Sequence, residues 1–337
     1  MKILDKGFVN NVAKALKENR KITIVSHVNP DGDAVGASLA LYCLLVKEKY
    51  EVSVIIPNEI PSFLKWMPCC DKILITDSNL SESEKVISNA EVIFCLDFNN
   101  VNRLDGLVDA YKNSKAIKFL IDHHLEPTVF TDYSYSDHNV SSTSEIVWEL
   151  IESLGKINDI DKAIAECIYV GMVTDTGSFS YSCNHVKMYN ITAELFKLGI
   201  DGERIHRLVY DTFTENRMRL LGFCLSDKMK VFPEYQTAYI SLTKEDLEKY
   251  NYQTGDSEGV VNYALSIKGI EMAVFFIERN ENIKISFRSK GKVDVNEIAR
   301  KYYDGGGHHN ASGGYSYTSI PETLDNFEKL LPVIIKK

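Results

Sequence analysis

Residues 21–45 read KITIVSHVNPDGDAVGASLALYCLL: an apolar strand pattern, a short polar turn and then an apolar helical pattern. The turn carries His27, Asp31 and Asp33, with Gly32 between the two aspartates. In open parallel sheets, ligands bind beyond the carboxyl ends of the strands, which is where such a turn lies. This stretch therefore predicts the first strand of an α/β domain and, directly after it, the first part of a functional site.

The rest of the first half repeats the alternation of strand and helix. Apolar strand patterns occupy residues 22–27, 52–57, 72–76, 92–98 and 117–124. Segments of helical spacing separate them, and such alternation predicts a parallel sheet covered by helices. We expect Gly36, which lacks a side chain, to let the first of these helices begin close to the site.

Helical patterns dominate the middle of the chain, and strand patterns return after it. One helix is predicted over 141–155, where Ser142 and Glu145 have the spacing of a capping box, and another over 160–175. Strand patterns resume in QTAYISL, EMAVFFIER and NIKISFRS. We therefore expect three parts: an N-terminal α/β domain over 1–185, a helical connector over 186–230 and a smaller α/β domain over 231–337.

Composition limits the classes of function. The net charge of −9 disfavours a protein bound to long duplex DNA, because such binding depends on many Lys and Arg contacts to phosphates. The seven cysteines are odd in number and form no CxxC pair, which argues against a disulfide framework and favours a reducing compartment. No apolar stretch approaches the length of a membrane span, and the N-terminal residues 1–20 lack the uninterrupted apolar core of a signal peptide. We expect a cytoplasmic protein that does not bind membranes.

Aspartates and histidines cluster at the ends of the predicted elements. Asp97 ends VIFCLD, Asp122, His123 and His124 end FLIDHH, and Asp175 ends a helical segment in GMVTDTGSFSYS. Histidine nitrogens and carboxylate oxygens together suit Mn²⁺ or Mg²⁺ better than a structural zinc site. So many neighbouring carboxylates repel one another unless cations neutralise them. The number of ligands fits two metal ions better than one.

Taken in chain order, these motifs resemble those of a known family. HVNPDGDAVGAS, Asp97, DHH and TDTGSFSYS resemble the four metal-binding motifs of the DHH phosphoesterases, and GGGHHNASGG at 305–314 resembles the glycine-rich signature of the DHHA1 subfamily. The resemblance is strongest to the nanoRNase branch, the bifunctional oligoribonucleases and pAp phosphatases. It implies a parallel-sheet DHH domain, a smaller α/β DHHA1 domain and an active site in the cleft between them.

The resemblance implies two metal ions that share one carboxylate, Asp97. The first ion also has His27 and Asp31 as ligands. The second ion has three further ligands, which are Asp33, His123 and Asp175. Mn²⁺ is the expected metal, and Mg²⁺ or Co²⁺ can substitute for it.

Further roles follow from the same resemblance. Asp122 orients the neighbouring imidazoles, and His124 faces the scissile phosphate. Phe98, Asn99 and Asn100 stand where many relatives have small polar residues, and this departure concerns the substrate side of the motif and leaves the metal ligand Asp97 intact. The glycines of the C-terminal motif are expected in a loop whose amides approach a phosphate. The implied substrate contacts are Arg288, Gly306, Gly307, His308 and Ser312.

The implied activity is hydrolysis of phosphate esters by a metal-activated water. The expected substrates are RNA oligonucleotides of about two to five residues and 3′-phosphoadenosine 5′-phosphate (pAp), which would yield AMP. A RecJ-like single-strand DNA exonuclease and a cyclic- or linear-dinucleotide phosphodiesterase are the alternatives within the enzyme class. A nucleotide-binding regulator is the alternative without catalysis. The family resemblance also allows a homodimer.

Overall fold

The computed structural model describes residues 4–18, 20–253 and 255–335. The chain divides into two compact units, the first ending at Thr212 and the second beginning at Phe213. Residues 186–230, which we expected as a connector, are shared between the two units. All seven cysteines are free thiols. Each helix in the described ranges is too short or too polar to span a lipid bilayer.

The first unit contains a six-stranded sheet in which all neighbouring strands run parallel. Its strands are β1 (Lys21–Val25), β2 (Glu51–Ile56), β3 (Ile73–Ile75), β4 (Val92–Leu96), β5 (Ile117–Asp122) and β6 (Tyr133–Ser136). The five predicted strands are confirmed. The sixth was missed because its four residues, YSYS, carry little apolar signal.

The order of the strands determines where a ligand can bind. The sheet has the order β3-β2-β1-β4-β5-β6, so β1 lies between β2 and β4. The chain therefore builds the sheet outward on one side of β1 and then on the other. The carboxyl ends of β1 and β4 border the point at which the order reverses, and α/β sheets bind ligands at such a point.

Eight helices of the described residues belong to the first unit. They are α1 (Lys6–Glu18), α2 (Gly32–Lys47), α3 (Thr76–Asn89), α4 (Val108–Asn113), α5 (Thr143–Ser153), α6 (Lys162–Asp175), α7 (Val186–Lys197) and α8 (Gly202–Tyr210). The predicted helices at 141–155 and 160–175 are confirmed as α5 and α6. The apolar core of this unit includes β1 and the buried faces of α2, α5 and α6.

The role expected of Gly36 was wrong. Helix α2 begins at Gly32, and Gly36 lies one turn inside it, against α6. A Cβ at Gly36 would lie 2.6 Å from the carbonyl oxygen of Cys167 and 3.0 Å from the amide nitrogen of Gly171. Glycine is therefore needed there because the backbones of α2 and α6 approach each other closely.

The capping box expected at the start of α5 is only half present. The Ser142 hydroxyl accepts a hydrogen bond from the Glu145 amide at 3.1 Å, so the N-cap is confirmed. The Glu145 carboxylate does not return to Ser142. It accepts hydrogen bonds from the amide and the hydroxyl of Ser141, one residue earlier.

The second unit has a mixed six-stranded sheet, in which β8 and β9 are parallel and the other neighbours antiparallel. Its strands are β7 (Met229–Phe232), β8 (Thr237–Leu242), β9 (Met272–Glu278), β10 (Ile283–Ser289), β11 (Gly306–His308) and β12 (Ala311–Ser316). Its helices are α9 (Glu215–Ser226), α10 (Lys244–Lys249), α11 (Val260–Leu265), α12 (Val295–Tyr302) and α13 (Ile320–Ile334). The three predicted strands of this unit are β8, β9 and β10, which form the middle of its sheet.

The glycine-rich motif is a hairpin and not the expected loop. Gly306 pairs with Gly313, Gly307 with Ser312, and His308 with Ala311. The motif lacks the alternation of apolar and polar side chains that marks a strand, so its pattern does not predict pairing. Backbone hydrogen bonds between β11 and β12 nevertheless fix β11 at the edge of the sheet.

Substitution of Gly36 by Ala tests the close packing of α2 on α6. We expect a loss of about 1–3 kcal/mol in the free energy of unfolding, because the added methyl group meets backbone that cannot rotate away. Denaturant unfolding measures the loss. Gly222→Ala is the matched control: Gly222 is exposed in α9, and a Cβ there would have no atom within 4 Å. That variant should be as stable as the wild type or more stable. Equal stability of the Gly36→Ala protein would contradict the packing argument.

Candidate metal centre

The first turn of α2 presents two aspartates to the carboxyl edge of the sheet. Asp31 is the N-cap of α2, and its Oδ1 accepts hydrogen bonds from the amides of Asp33 and Ala34, each at 3.0 Å. Asp33 follows within the first turn and is buried. His27, just beyond β1, is also buried. The opening motif of the sequence therefore places three side chains with N or O donors at one end of β1.

Asp97 follows β4 with an unusual backbone conformation. Its φ is 68°, in the left-handed region that non-glycine residues seldom adopt. Its amide donates to the carbonyl of Ile121 at 3.0 Å, at the end of the neighbouring strand β5. Such strained backbone costs about 1–3 kcal/mol and persists where the surrounding structure holds it, often at functional sites. The strained backbone indicates that the surrounding structure holds the Asp97 carboxylate in a particular direction.

The carboxylate of Asp97 lies between two histidines. Its Oδ2 is 3.5 Å from Nε2 of His27, and its Oδ1 is 3.5 Å from Nε2 of His123. On the far side, Nε2 of His123 is 3.4 Å from Oδ2 of Asp175 and 3.9 Å from Oδ2 of Asp33. The structure thus brings together residues from the ends of β1, β4, β5 and α6.

Two of the groups of donor atoms that could hold a metal ion contain all six predicted ligands. The first set consists of His27, Asp31 and Asp97, and the second consists of Asp33, His123 and Asp175. Within each set, every residue has one ligand atom that lies within 4.8 Å of the ligand atoms of the other two residues. The resemblance implies the same ligands, with Asp97 added to the second set. Asp97 lies between His27 of the first set and His123 of the second, so it could contribute to both sets. The donors are carboxylate oxygens and imidazole nitrogens without a thiolate, which suits hard or borderline divalent cations.

The charges of the site need compensation by protons or by metal cations. Burial and the charges of Asp33 and Asp31 raise the pKa of Asp97 well above its usual range. Burial also raises the pKa of Asp33. Burial and the nearby guanidinium of Arg103 lower the pKa of His27 to about 4, so its ring is neutral at neutral pH and keeps a lone pair for a metal ion.

Asp122 and His124 form a second, ordered pair beside these ligands. Asp122 is fully buried, and its Oδ1 lies 2.7 Å from Nδ1 of His124. Burial alone would raise the pKa of Asp122, but the hydrogen bonds from His124 and the charges of His124 and His123 together outweigh it and lower that pKa. Nδ1 of His124 is also 3.8 Å from Oδ1 of Asp97. The Asp122 carboxylate therefore fixes the orientation of an imidazole at the edge of the candidate site.

Three residues of the site were not predicted from the sequence. Thr143 and Ser144, at the N-terminus of α5, donate their amides to Oδ2 and Oδ1 of Asp33 at 2.6 and 2.9 Å. The Thr143 hydroxyl donates to Oδ1 of Asp97 at 2.8 Å. Nη2 of Arg103 lies 2.7 Å from Nδ1 of His27. The Ser142–Glu145 pattern marked a helix start, but nothing in it showed that this end faces Asp33 and Asp97.

The expected position of Phe98 on the substrate side was wrong. Phe98 is fully buried, and its ring stacks on Phe130 with 5.5 Å between the centroids. The next residue, Asn99, donates its side-chain amide to the carbonyl of Leu125 at 2.8 Å. The reversal at Asp97 directs the carboxylate to the site and the following side chain into the core.

The predicted substrate contacts of the second unit lie in and beside the β11–β12 hairpin. Ala311 pairs with His308 on β11 and with Arg288 on β10, so Arg288 and His308 flank it in one row on one face of the sheet. Gly306 and Gly307 precede His308, and the Gly307 amide donates to Oδ1 of Asn296 at 2.9 Å.

Ser312 has a different position from Arg288 and His308. It follows Ala311 on β12, so its side chain is on the opposite face. Ser312 is buried, and its hydroxyl donates to the carbonyl of His308 at 2.8 Å. This contact stabilises the hairpin, and the structure does not bring Ser312 to the face of the other two side chains.

Comparisons with known proteins agree with the resemblance. The model of the DHH family N-terminal domain matches residues 21–172, and the DHHA1 domain model matches residues 234–337. The bifunctional oligoribonuclease and PAP phosphatase NrnA of Bacillus subtilis is 30% identical over 312 residues, covering 92% of this chain and 94% of that protein. The protein of the same name from Mycoplasma genitalium is also 30% identical, over 92% of this chain and 93% of its own.

Solved structures extend the comparison. An exopolyphosphatase-related protein from Bacteroides fragilis is 46% identical, with 99% of both chains covered and a TM-score of 0.94. RecJ in complex with Mn²⁺ from Thermus thermophilus matches 98% of this chain and 55% of its own at 12% identity, with a TM-score of 0.58. The likeness to RecJ shows a shared fold alone.

Mn²⁺ should stabilise the protein more at about pH 8 than at about pH 5.5. The raised pKa of Asp97 means that the folded protein gains stability from its protonation at low pH and loses that contribution as pH rises. A cation replaces the proton at high pH but has to compete with it at low pH. The increase in Tm at one fixed Mn²⁺ concentration measures the effect. An equal increase at both pH values would contradict this account, and Asp97→Asn should remove most of the increase at both.

Replacing Thr143 by Val should weaken Mn²⁺ binding roughly tenfold, because it removes the hydrogen bond to Asp97 while nearly preserving the side-chain volume. Thr143→Ser, which keeps the hydroxyl, is the matched control and should bind nearly as the wild type does. Calorimetric titration of Mn²⁺ into the metal-free proteins measures both affinities. If Val and Ser variants bind equally well, the hydroxyl does not position Asp97 for a metal ion.

Proposed function

This chain belongs to the DHH family and is a phosphoric ester hydrolase with a DHHA1 domain, and on that premise we propose that it hydrolyses short oligoribonucleotides and pAp. The observation that carries the proposal is the position of Asp97 between two sets of metal-ligating side chains. The names of its relatives in Bacillus subtilis and Mycoplasma genitalium support the two substrates.

The residues of the first unit divide into two ligand sets in this proposal. His27, Asp31 and Asp97 would hold one divalent ion. The other would be held by Asp97 together with Asp33, His123 and Asp175. Bound divalent ions lower the pKa of a coordinated water and polarise a phosphoryl group, and Mn²⁺ is the ion we propose. DHH proteins depend on divalent metals as a family, and the donor set found here fits that requirement.

His124 is the proposed contact to the scissile phosphate. Nδ1 is bound to Asp122, and in this scheme Nε2 of the imidazolium donates to a non-bridging oxygen or protonates the leaving oxygen. The buried carboxylate of Asp122 fixes the orientation of the ring through this hydrogen bond. The pair therefore supplies a positioned proton donor beside the proposed ligands.

Arg288 and His308 are the proposed contacts to the rest of the nucleotide. They share one face of the second sheet with a single residue, Ala311, between them. A guanidinium can bind a phosphate through two parallel hydrogen bonds, and an imidazole can add a third. Such a pair can hold a terminal phosphate. A location in the cytoplasm and a homodimer stay predictions from the sequence.

Hydrolysis of a defined set of substrates tests the proposed function. With Mn²⁺, we expect pAp and oligoribonucleotides of about two to five residues to be cleaved with a kcat/KM at least tenfold above that of a strand of about 24 nucleotides. Products resolved over time should be mononucleotides. Asp97→Asn and a chelator are the controls, and each should abolish cleavage.

Two results would contradict the proposal in different ways. A rate that stays constant or rises with strand length would favour a RecJ-like exonuclease. Cleavage of linear or cyclic dinucleotides without any cleavage of pAp or of longer oligonucleotides would favour a dinucleotide phosphodiesterase.

A further inference from the structure

Arg103 lies beside the candidate metal centre and has no role in the scheme above. It follows Asp97 in a 3₁₀ segment, Val101–Leu107, and its carbonyl accepts the amide of Val28 at 2.8 Å. This contact fixes the segment against the turn after β1. The guanidinium Nη2 is 2.7 Å from Nδ1 of His27, a residue of the first ligand set.

The guanidinium has few partners for its charge and its donors. Among the described residues, no carboxylate forms an ion pair with Arg103. Its Nε is buried and has no hydrogen-bond partner in that part of the chain. A guanidinium carries five N–H donors, and a buried donor left without an acceptor is costly. A cation with unused donors at the edge of a phosphoesterase site is suited to an anionic ligand.

The contact with His27 is incompatible with metal ligation by that residue. Nδ1 of His27 lies 2.8 Å from the carbonyl of Val28 as well as 2.7 Å from Arg103. A neutral imidazole has one donor and one acceptor nitrogen. If Nε2 gives its lone pair to a cation, Nδ1 carries the proton and can donate to Val28, but it can no longer accept from Arg103. Ligation by His27 therefore frees the guanidinium.

We propose that Arg103 is an anion-binding residue whose guanidinium leaves Nδ1 of His27 for a phosphoryl oxygen of the substrate when the metal centre is loaded. The proposal rests on the proposed function, since that function supplies the phosphate. In the free protein Arg103 restrains the His27 ring and opposes cation binding by its charge. In the complex it neutralises a phosphoryl oxygen close to the bond that breaks.

This arrangement predicts effects of opposite sign on two ligands. Arg103→Gln should bind Mn²⁺ roughly fivefold more tightly, because a positive charge beside the first ligand set is removed. The same variant, loaded with Mn²⁺, should bind inorganic phosphate roughly tenfold more weakly, because the charged fork is lost. Calorimetric titration of Mn²⁺ into the metal-free protein and of phosphate into the loaded protein gives both values.

Two further variants separate the charge of Arg103 from its shape and its position. Arg103→Lys keeps the charge, so its Mn²⁺ affinity should equal that of the wild type while phosphate binding weakens. If the Arg103→Gln variant does not fold, the phosphate affinity of Arg103→Lys tests the proposal instead. Arg219→Gln removes an exposed arginine of α9 that pairs with Glu215, and it should change neither affinity.

The outcomes separate the proposal from the proposed function. If Arg103→Gln loses affinity for both Mn²⁺ and phosphate, Arg103 is a purely structural residue and the proposal is overturned. The proposal is also overturned if neither affinity changes. If the wild type cleaves none of the nucleotides but Arg103→Gln still changes the two affinities in opposite directions, the anion site stands and the proposed substrates fall. If the nucleotides are cleaved and phosphate binding does not depend on Arg103, the proposal alone fails.

Discussion

Mutual repulsion among buried carboxylates is the constraint on which the rest of the first unit depends. Asp33 and Asp97 are almost completely removed from solvent and face each other across His123, with Asp175 on the far side. The chain itself supplies part of the compensation. Amides at the start of α5 donate hydrogen bonds to Asp33, and the Thr143 hydroxyl donates one to Asp97. The remaining excess of negative charge is what makes the site a binding place for divalent cations.

The topology explains how distant segments meet at this point. Because β1 and β4 are neighbours at the reversal of strand order, the turns after them converge although they are far apart in sequence. Helices α2 and α6 must then pack closely enough to bring Asp33 and Asp175 to the same imidazole. Gly36 allows that approach from one helix, and Gly171 from the other, since a Cβ at Gly171 would lie 2.6 Å from Oδ1 of Asp33.

Local pattern determined which features could be predicted from the sequence. Apolar strands followed by Asp or His were recognisable, so the parallel sheet and the positions of its polar strand ends were predicted. Contacts between segments could not be predicted, because the partners are far apart in the sequence. Thr143 is 46 residues from Asp97, and Arg103 is 76 residues from His27. Phe98 and Gly36 were interpreted only from their place next to the motifs in the sequence, whereas Phe98 packs in the core and Gly36 against a helix. The hairpin at Gly306 lacks the side-chain alternation from which strands are predicted.

The central claim is that the Asp97 carboxylate serves two cations at once. Counting the bound Mn²⁺ per chain after equilibrium dialysis tests it most directly, with the wild type and Asp97→Asn compared at the same free Mn²⁺ concentration. The account predicts two ions per chain in the wild type and the weakening of both in the variant. A wild type that binds a single ion, or a variant that keeps one ion at full affinity, would contradict it.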